Sequence, residues 1–419
     1  MGALPGDFNK LWLSHALTNV AAKSSAVVLP LIAVFSFHAT PGQVGLVTSA
    51  QMLPVFLVTL FAGGWLDRRP RRPNLLFAHL LRGLAMLAVP IAAFLDSQGI
   101  SVLCAVAFGS GVMTALADVT YPVYVPSLVG GELLVEANTR LEAVNSLTQL
   151  AAPGAGGLLL GVIGGQWCMI LASLAYFLGA AAILAVRTAE TPPPATRQTP
   201  GEARHLAGVL FLARAPLLRL LVLQAAWFNL FEQSVVTVYL VYAVRTLGLS
   251  ASLVGLSMSV GAVGALLGSS LARRCGRVVG PQRTLLGGMF LACAGPLLIP
   301  LAQRSLVPLP FICGAFVCYG FGLATFNIFS VSVRQRTTPP DVLGRVTAAF
   351  RFIGFGTIWL GALVGGALSE WLGLQTALWT SVVALLAGYV VFAVRFTVLV
   401  RTDQQVRARI ASLTKEHRT

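Results

Sequence analysis

The chain has 419 residues, 56% of them hydrophobic and only 10% charged, with a mean hydropathy of +0.81. No water-soluble fold could hide that much apolar surface in one core, so the solvent must be lipid. A formal charge of +15 would suit a nucleic-acid partner if it were gathered into one basic patch, but it is spread over loops between apolar runs, which excludes that class.

A helix crossing the hydrocarbon needs about 20 apolar residues. Twelve such runs lie at 9–36, 43–66, 74–95, 100–127, 138–163, 166–187, 217–244, 252–271, 284–302, 309–333, 343–368 and 372–398. The fold class is therefore an all-α polytopic membrane protein. Arg68, Arg69, Arg71, Arg72, Arg187, Arg273, Arg274, Arg334 and Arg401 fall on one side of the alternating topology, and only Arg245 and Arg304 lie between helices on the other. The positive-inside bias puts both termini in the cytoplasm of a bacterial inner membrane, where anionic headgroups partner the excess charge. Asp7 and Lys10 precede a first run too long for a signal-peptide core, with no small-residue cleavage site behind it, so this run stays as a helix. The six cysteines have no metal-ligand or CxxC spacing and read as small apolar packing.

Along the chain, residues 1–187 make a first six-helix bundle. A proline-rich, polar linker over 188–216 cannot continue a helix, and a second bundle follows over 217–399, with a basic tail at 400–419. The halves resemble each other. GGWLDRRPRRP after the second run has an echo in SSLARRCGRVV after the eighth, where Leu66 matches Leu271 and Arg68 and Arg69 match Arg273 and Arg274. PGAGGLLLG in the fifth echoes GALVGGAL in the eleventh, an offset of 209 residues. Repeated halves of this kind let a central site alternate between two sides of a membrane.

Within the first loop, Asp67 among arginines can cap a neighbouring helix N-terminus or pair with Arg68 or Arg71, contacts that exist in only one arrangement of the halves. Gly64, Leu66, Asp67, Arg68, Arg71 and Arg72 resemble the signature of the Major Facilitator Superfamily between helices two and three, with Pro70 in place of its second glycine. In helix five, Ala152 followed by Pro153, Gly154, Gly156 and Gly157 resembles the proline-glycine motif of that family's drug and proton antiporters. Helices four to five and ten to eleven are similar to the branch containing enterobactin exporters and macrolide or drug efflux proteins. Where this branch often carries an acidic residue in helix one, the corresponding position here is Ala22, followed by Lys23. The resemblance implies two pseudo-symmetric six-helix bundles, a monomer, and a cytoplasmic latch formed by the Asp67 network when the cavity faces outward.

Ionisable groups at the bilayer centre cost at least ~2.5 kcal/mol each, so those present face a cavity. His15, Asn19 and Lys23 repeat at i, i+4 and i+8 on one face of helix one, where Lys23 either snorkels or pairs structurally or else meets an anionic or carbonyl-rich substrate. Asn138, Glu142, Asn145 and Gln149 form a stripe on helix five, suited to water or substrate or to interhelix hydrogen bonds. Helix seven contributes Asn229, Glu232 and Gln233. Glu232 is the best-placed lone carboxylate for a proton site, and an ion pair with Lys23 is the rival reading. Asp118 in helix four shares its depth with Arg82 and Arg351, so pairing there would gate the cytoplasmic side. Asn327 holds the repeat position of Asp118 as a neutral counterpart. Ser257, Gly261, Gly264 and Gly268 make a small-residue stripe for close helix packing.

There is no phosphate-binding GxxxxGK[ST] and no nucleophile, acid-base or metal-ligand constellation, so an enzyme is rejected and no cofactor is implied. The proton gradient is the energy source. The reading is a proton-coupled efflux carrier for a small amphipathic organic compound: a drug, natural product or siderophore. A solute:proton symporter is the alternative, and a non-transporting sensor or lipid-handling member a more distant one. Substrate identity is beyond the sequence.

Overall fold

Hydrocarbon offers no partner to backbone N–H and C=O groups, so each apolar run must satisfy its own as a helix. The computed structural model describes residues 4–61, 70–96, 99–188, 202–305 and 307–416, and every regular element among them is helical. Helices α1 (Gly6–Phe37), α2 (Pro41–Phe61) and α3 (Arg71–Phe94) are followed by a continuous helical stretch, Ile100–Leu184. Two glycines divide that stretch, Gly130 (φ 67°, ψ 169°) and Gly164 (φ 82°, ψ 167°). Both backbone conformations are essentially closed to residues with a Cβ.

The chain reverses at Gly164. Before it, Arg140 lies beside Trp12, Asn145 beside His15, Ala152 beside Ser24 and Gly156 beside Val28. After it, Gly165 meets Ile32, Gly179 meets Thr18, and Thr188 meets Asp7. The stretch is thus α4 (100–129), α5 (131–163) and α6 (165–184), with α5 and α6 running in opposite directions along α1.

The second half comprises α7 (Glu202–Arg214), α8 (Pro216–Arg245), α9 (Ala251–Val278), α10 (Pro281–Ala294), α11 (Pro308–Thr337), α12 (Pro340–Phe355), α13 (Ile358–Leu372) and α14 (Leu374–Glu416). Ten helices have the length and composition of a crossing, and α7 with α8, bent by 108°, gives an eleventh. Dividing Ala151–Leu184 at Gly164 supplies the twelfth.

Three local features differ from a uniform reading of the runs. Part of the 188–216 linker is helix: α7 packs on α12, with Leu212 buried and Gly208 against the backbone of Arg345. The run 343–368 is interrupted between α12 and α13, where Asn229 Nδ2 donates to Gly354 O (2.7 Å) and Thr357 Oγ1 to Ala226 O (2.7 Å). The bond from Asn229 compensates for a helical one lost at the break. Third, α10 passes into a 3₁₀ turn, Gly295–Leu297, at Pro296, whose missing N–H breaks the helical ladder.

The halves meet along two equivalent seams. A Cβ on Gly157 of α5 would lie 2.6 Å from Ala251 O and 2.7 Å from Gly255 Cα of α9, and a Cβ on Gly45 of α2 would lie 2.6 Å from Ala362 O of α13. Gly366, 209 residues after Gly157, faces Pro41 O at 3.0 Å. Backbones therefore touch, as small residues allow. Both seams lie toward the face that carries His38, Arg245 and Glu370, remote from the face that carries Asp7 and Thr188. One buried cluster runs through the seams, joining Val28, Ile32, Val44 and Val47 to Val235, Tyr239 and Val254. Nearer the Asp7 face, Phe8, Leu11, Leu75, Tyr124 and Ile183 form a separate cluster belonging to the first half alone. The glycine seams join the halves toward one face, and further in Phe56 of α2 stacks on Phe352 of α12 across the divide, with centroids 4.8 Å apart.

Candidate functional site

The predicted face of α1 is occupied as its spacing requires. His15 is buried and its Nε2 lies 2.9 Å from Asn145 Oδ1 on α5, while Asn19 Nδ2 lies 3.0 Å from the same nitrogen and 3.4 Å from Nδ1. One ring nitrogen cannot both donate and accept. With the proton on Nε2, His15 donates to Asn145 and accepts from Asn19 through Nδ1. Asn145 Nδ2 in turn donates to Glu142 Oε2 (3.4 Å). The chain Asn19–His15–Asn145–Glu142 thus joins the two polar stripes read from α1 and α5. Asn138, Glu142 and Gln149 are exposed.

Deeper in the same half, Asp118 on α4 lies within electrostatic reach of Arg82, Lys23 and, from the other half, Arg351. The paired gate expected of Asp118 with Arg82 or Arg351 is not closed in this arrangement. Arg82 is buried and instead donates through Nη2 to Tyr176 Oη (2.7 Å), with its guanidinium 4.3 Å from that ring's centroid. Asp118, Lys23 and Arg351 are exposed, and Asn327 on α11 is exposed as well. A second network lies behind Asp118, where Tyr121 Oη is 3.0 Å from His79 Nε2 and 3.3 Å from Ser14 Oγ. Tyr121, Tyr176 and His79 were missed from the sequence, since isolated polar residues in apolar helices carry no periodic signal.

In the second half the polar residues of α8 separate. Asn229 is spent on the Gly354 carbonyl at the α12–α13 break and Gln233 Nε2 on Thr237 Oγ1 (3.4 Å). Glu232 makes no ion pair with Lys23. Its Oε1 accepts a hydrogen bond from Tyr319 Oη of α11 (3.0 Å), and it lines a cavity inside the second half rather than the divide between halves. The two charges still hold equivalent repeat positions, 209 residues apart.

The helix-five motif belongs to the seam. Gly154 N–H donates to Ser259 Oγ of α9 (2.7 Å), Gly156 faces Ser24 and Val28 of α1, and Gly157 faces Gly255; the carbonyl of Pro153 also packs on Gly255. Of the predicted latch, Gly64, Asp67 and Arg68 lie outside the described residues. Arg72 donates through Nε to Ile183 O (3.2 Å) and through Nη2 to Leu184 O (2.7 Å), placing a cation on the last carbonyls of α6. Arg71 opens α3 beside it.

Two contacts across the halves were not foreseen. Arg245, at the end of α8, donates to His38 O (2.8 Å) and Ala39 O (2.7 Å) at the C-terminus of α1, and Glu370, near the end of α13, accepts from Gly42 N–H (3.0 Å) in the first turn of α2. Each charge meets the helix end of opposite polarity. On the other face Asp7 Oδ2 accepts from Arg187 N–H (2.9 Å), Thr188 N–H (2.7 Å) and Thr188 Oγ1 (2.6 Å), and Lys10 pairs with Asp7 Oδ1 (2.6 Å).

The arrangement is that of known membrane carriers. The Major Facilitator Superfamily model matches residues 11–356 and 222–416. The chain is 27% identical over 393 residues to the multidrug efflux pump Tap of Mycolicibacterium fortuitum, covering 91% of this chain and 94% of that protein. It is 25% identical over 342 residues to the enterobactin exporter EntS of Escherichia coli, covering 81% and 79%. Among solved structures it is similar to a bacterial homologue of the iron transporter ferroportin in an inward-facing state, at a TM-score of 0.73 and 18% identity over 94% of this chain and 100% of that one. For an outward-facing state of that homologue the score is 0.55 at 20% identity, with the same coverage. The nucleoside transporter NupG matches at 0.74 and 12% identity, over 94% and 99%. Two repeated six-helix halves, seams between α2 and α13 and between α5 and α9, and the family match over both halves lead to one conclusion: this multi-span membrane protein belongs to the Major Facilitator Superfamily of transporters.

Proposed function

We propose that the protein is a proton-coupled exporter that moves a small amphipathic organic compound out of a bacterial cytoplasm by alternating access. The observation that carries this reading is the asymmetry of the divide. The halves are fused by glycine seams at one face, while Asp118, Lys23 and Arg351 stand exposed and unbridged where the halves face one another further in. Charged groups at that depth are tolerated beside water and not in lipid. The His15–Asn145–Glu142 chain and the Asp118 group are the polar anchors for substrate, and the apolar helix faces around them take its remaining surface. Positive loops place the Asp7 face and both termini in the cytoplasm of the inner membrane. The working unit is a monomer driven by the proton gradient, without a cofactor. Kinship to an efflux pump and a siderophore exporter at 27% and 25% identity supports export.

The test is flux in inside-out vesicles energised acid-inside, offered a panel of lipophilic drugs and dyes. Accumulation that collapses with a protonophore is the expected result. A solute:proton symporter would instead release preloaded compound under the same gradient, and would overturn the direction assigned here.

A further inference from the structure

The charges at the divide do not balance. Lys23 of α1, Arg82 of α3 and Arg351 of α12 all lie within electrostatic reach of Asp118 on α4, three cations to one carboxylate. Counting the next charges outward leaves the same excess of two: Arg334 of α11 is within reach of Arg351, and Glu142 of α5 is tied through Asn145 toward His15. Among the described residues the side-chain ion pairs are Asp7–Lys10 and Glu136–Arg140, and neither includes a member of this group. Arg351 is held at the divide itself, since its neighbour Phe352 stacks on Phe56 of the other half.

The repeat explains the excess. Positions 209 residues apart carry opposite charges, Lys23 with Glu232 and Glu142 with Arg351. Glu232 turns into the second half and takes Tyr319 as its partner, so Lys23 is left at the divide without its counterpart. A second observation points the same way. The Nε atoms of Arg82 and Arg334 are buried with no hydrogen-bond partner, two donors that lack an acceptor.

While the divide stands open, water screens these charges. Bringing the halves together expels that water, and like charges then repel in a medium of low dielectric while losing their hydration. Closure on an empty or cation-loaded divide works against the field of the site. An occupant carrying one or two negative charges neutralises the field and supplies acceptors to the ammonium and guanidinium groups. We infer that the substrate taken at the divide is an amphipathic organic anion, bearing a carboxylate, sulfonate or phosphate group held between Lys23 of the first half and Arg351 of the second, with Arg82 reinforcing the field. The inference rests on the export reading for the divide as the substrate path, and adds to it the sign of the substrate's charge.

Binding of naphthalene-2,6-disulfonate, whose charges do not titrate, is measured by equilibrium dialysis on the full-length protein in phosphatidylcholine nanodiscs, with benzyltrimethylammonium as competitor. Saturable binding is expected that the ammonium compound does not displace, weakened roughly tenfold by Lys23→Gln and by Arg351→Gln and retained by Lys23→Arg. Asp118→Asn, which removes the opposing carboxylate, should tighten binding several-fold, an effect that a merely structural role for Asp118 would not produce. This arm keeps the site testable if Lys23→Gln or Arg351→Gln fails to fold. Displacement by benzyltrimethylammonium, unchanged affinity in folded Lys23→Gln and Arg351→Gln proteins, or looser binding in folded Asp118→Asn overturns the assignment. Disulfonate binding that depends on Lys23 and Arg351, in a protein whose vesicles show no gradient-driven flux, would sustain the anion site and remove the export reading. Gradient-driven export of a cationic dye with no saturable disulfonate binding would do the reverse.

Discussion

At the scale of single residues, the same side-chain types meet different fates according to what lies one helix away. Asn145 and Asn229 both sit on stripes of amides, yet Asn145 closes a chain through His15 to Asn19 while Asn229 is committed to the Gly354 carbonyl. Replacing His15 with Phe keeps the ring contact with Tyr121, whose centroid is 4.7 Å away, and removes the bond to Asn145. Transport should fall more than tenfold in the vesicle assay while the thermal midpoint of the purified protein changes little; full activity would remove the chain from the substrate path. Asp7 is a structural case. Its carboxylate gathers three donors from Arg187 and Thr188, and Asp7→Ala should lower the unfolding midpoint in detergent, since bonds to a charged acceptor carry roughly 1.5–3 kcal/mol each before solvent screening.

At the scale of elements, close backbone approach is decided by glycine. A side chain at Gly157 or Gly45 would have to displace main chain, because the nearest atoms to an added Cβ are backbone at 2.6–2.7 Å. Gly157→Val and Gly45→Val should therefore insert in the membrane and lose flux, with the seam forced apart in a measurement of distance between the halves. The proline-glycine motif of α5 was visible in the sequence, and so was the small-residue stripe of α9, which packs on α11 through Gly261, Gly264 and Gly268 against Phe316, Val317 and Phe321. The partner of each stripe was not visible. Spacing reveals that a helix has a smooth face, and only the tertiary arrangement says which helix comes to it.

At the scale of the whole molecule, Arg245 and Glu370 hold the seam face shut by engaging the end of α1 and the start of α2. These contacts bridge the halves and must break if that face opens, so they weight the balance between the two arrangements. The double variant Arg245→Gln, Glu370→Gln should shift spin labels at Leu46 and Trp371, both exposed, toward longer separations in pulsed resonance measurements. An unaltered distance distribution would show that the glycine seams alone set the balance. On the other face, Asp67→Asn should impair flux without affecting insertion, as expected of a latch that forms only when the Asp7 face closes. Unchanged export by this variant would remove the latch.

Composition, the apolar runs and the echoed motifs determined that the chain lives in lipid, crosses it twelve times and repeats itself after 209 residues, because hydrocarbon makes each long apolar run satisfy its own backbone as a helix and repeats leave matching residues in register. The sequence also marked which helices carry polar stripes, since burial in lipid makes every amide and charge conspicuous. What only the tertiary structure decided is how those groups are shared out: Glu232 facing an internal cavity and Tyr319 in place of Lys23, Asp118 left unbridged, and Arg245 and Glu370 binding helix ends of the other half. Pairings between residues hundreds of positions apart depend on the rotation and approach of whole helices, and neither has a signature within one run of residues.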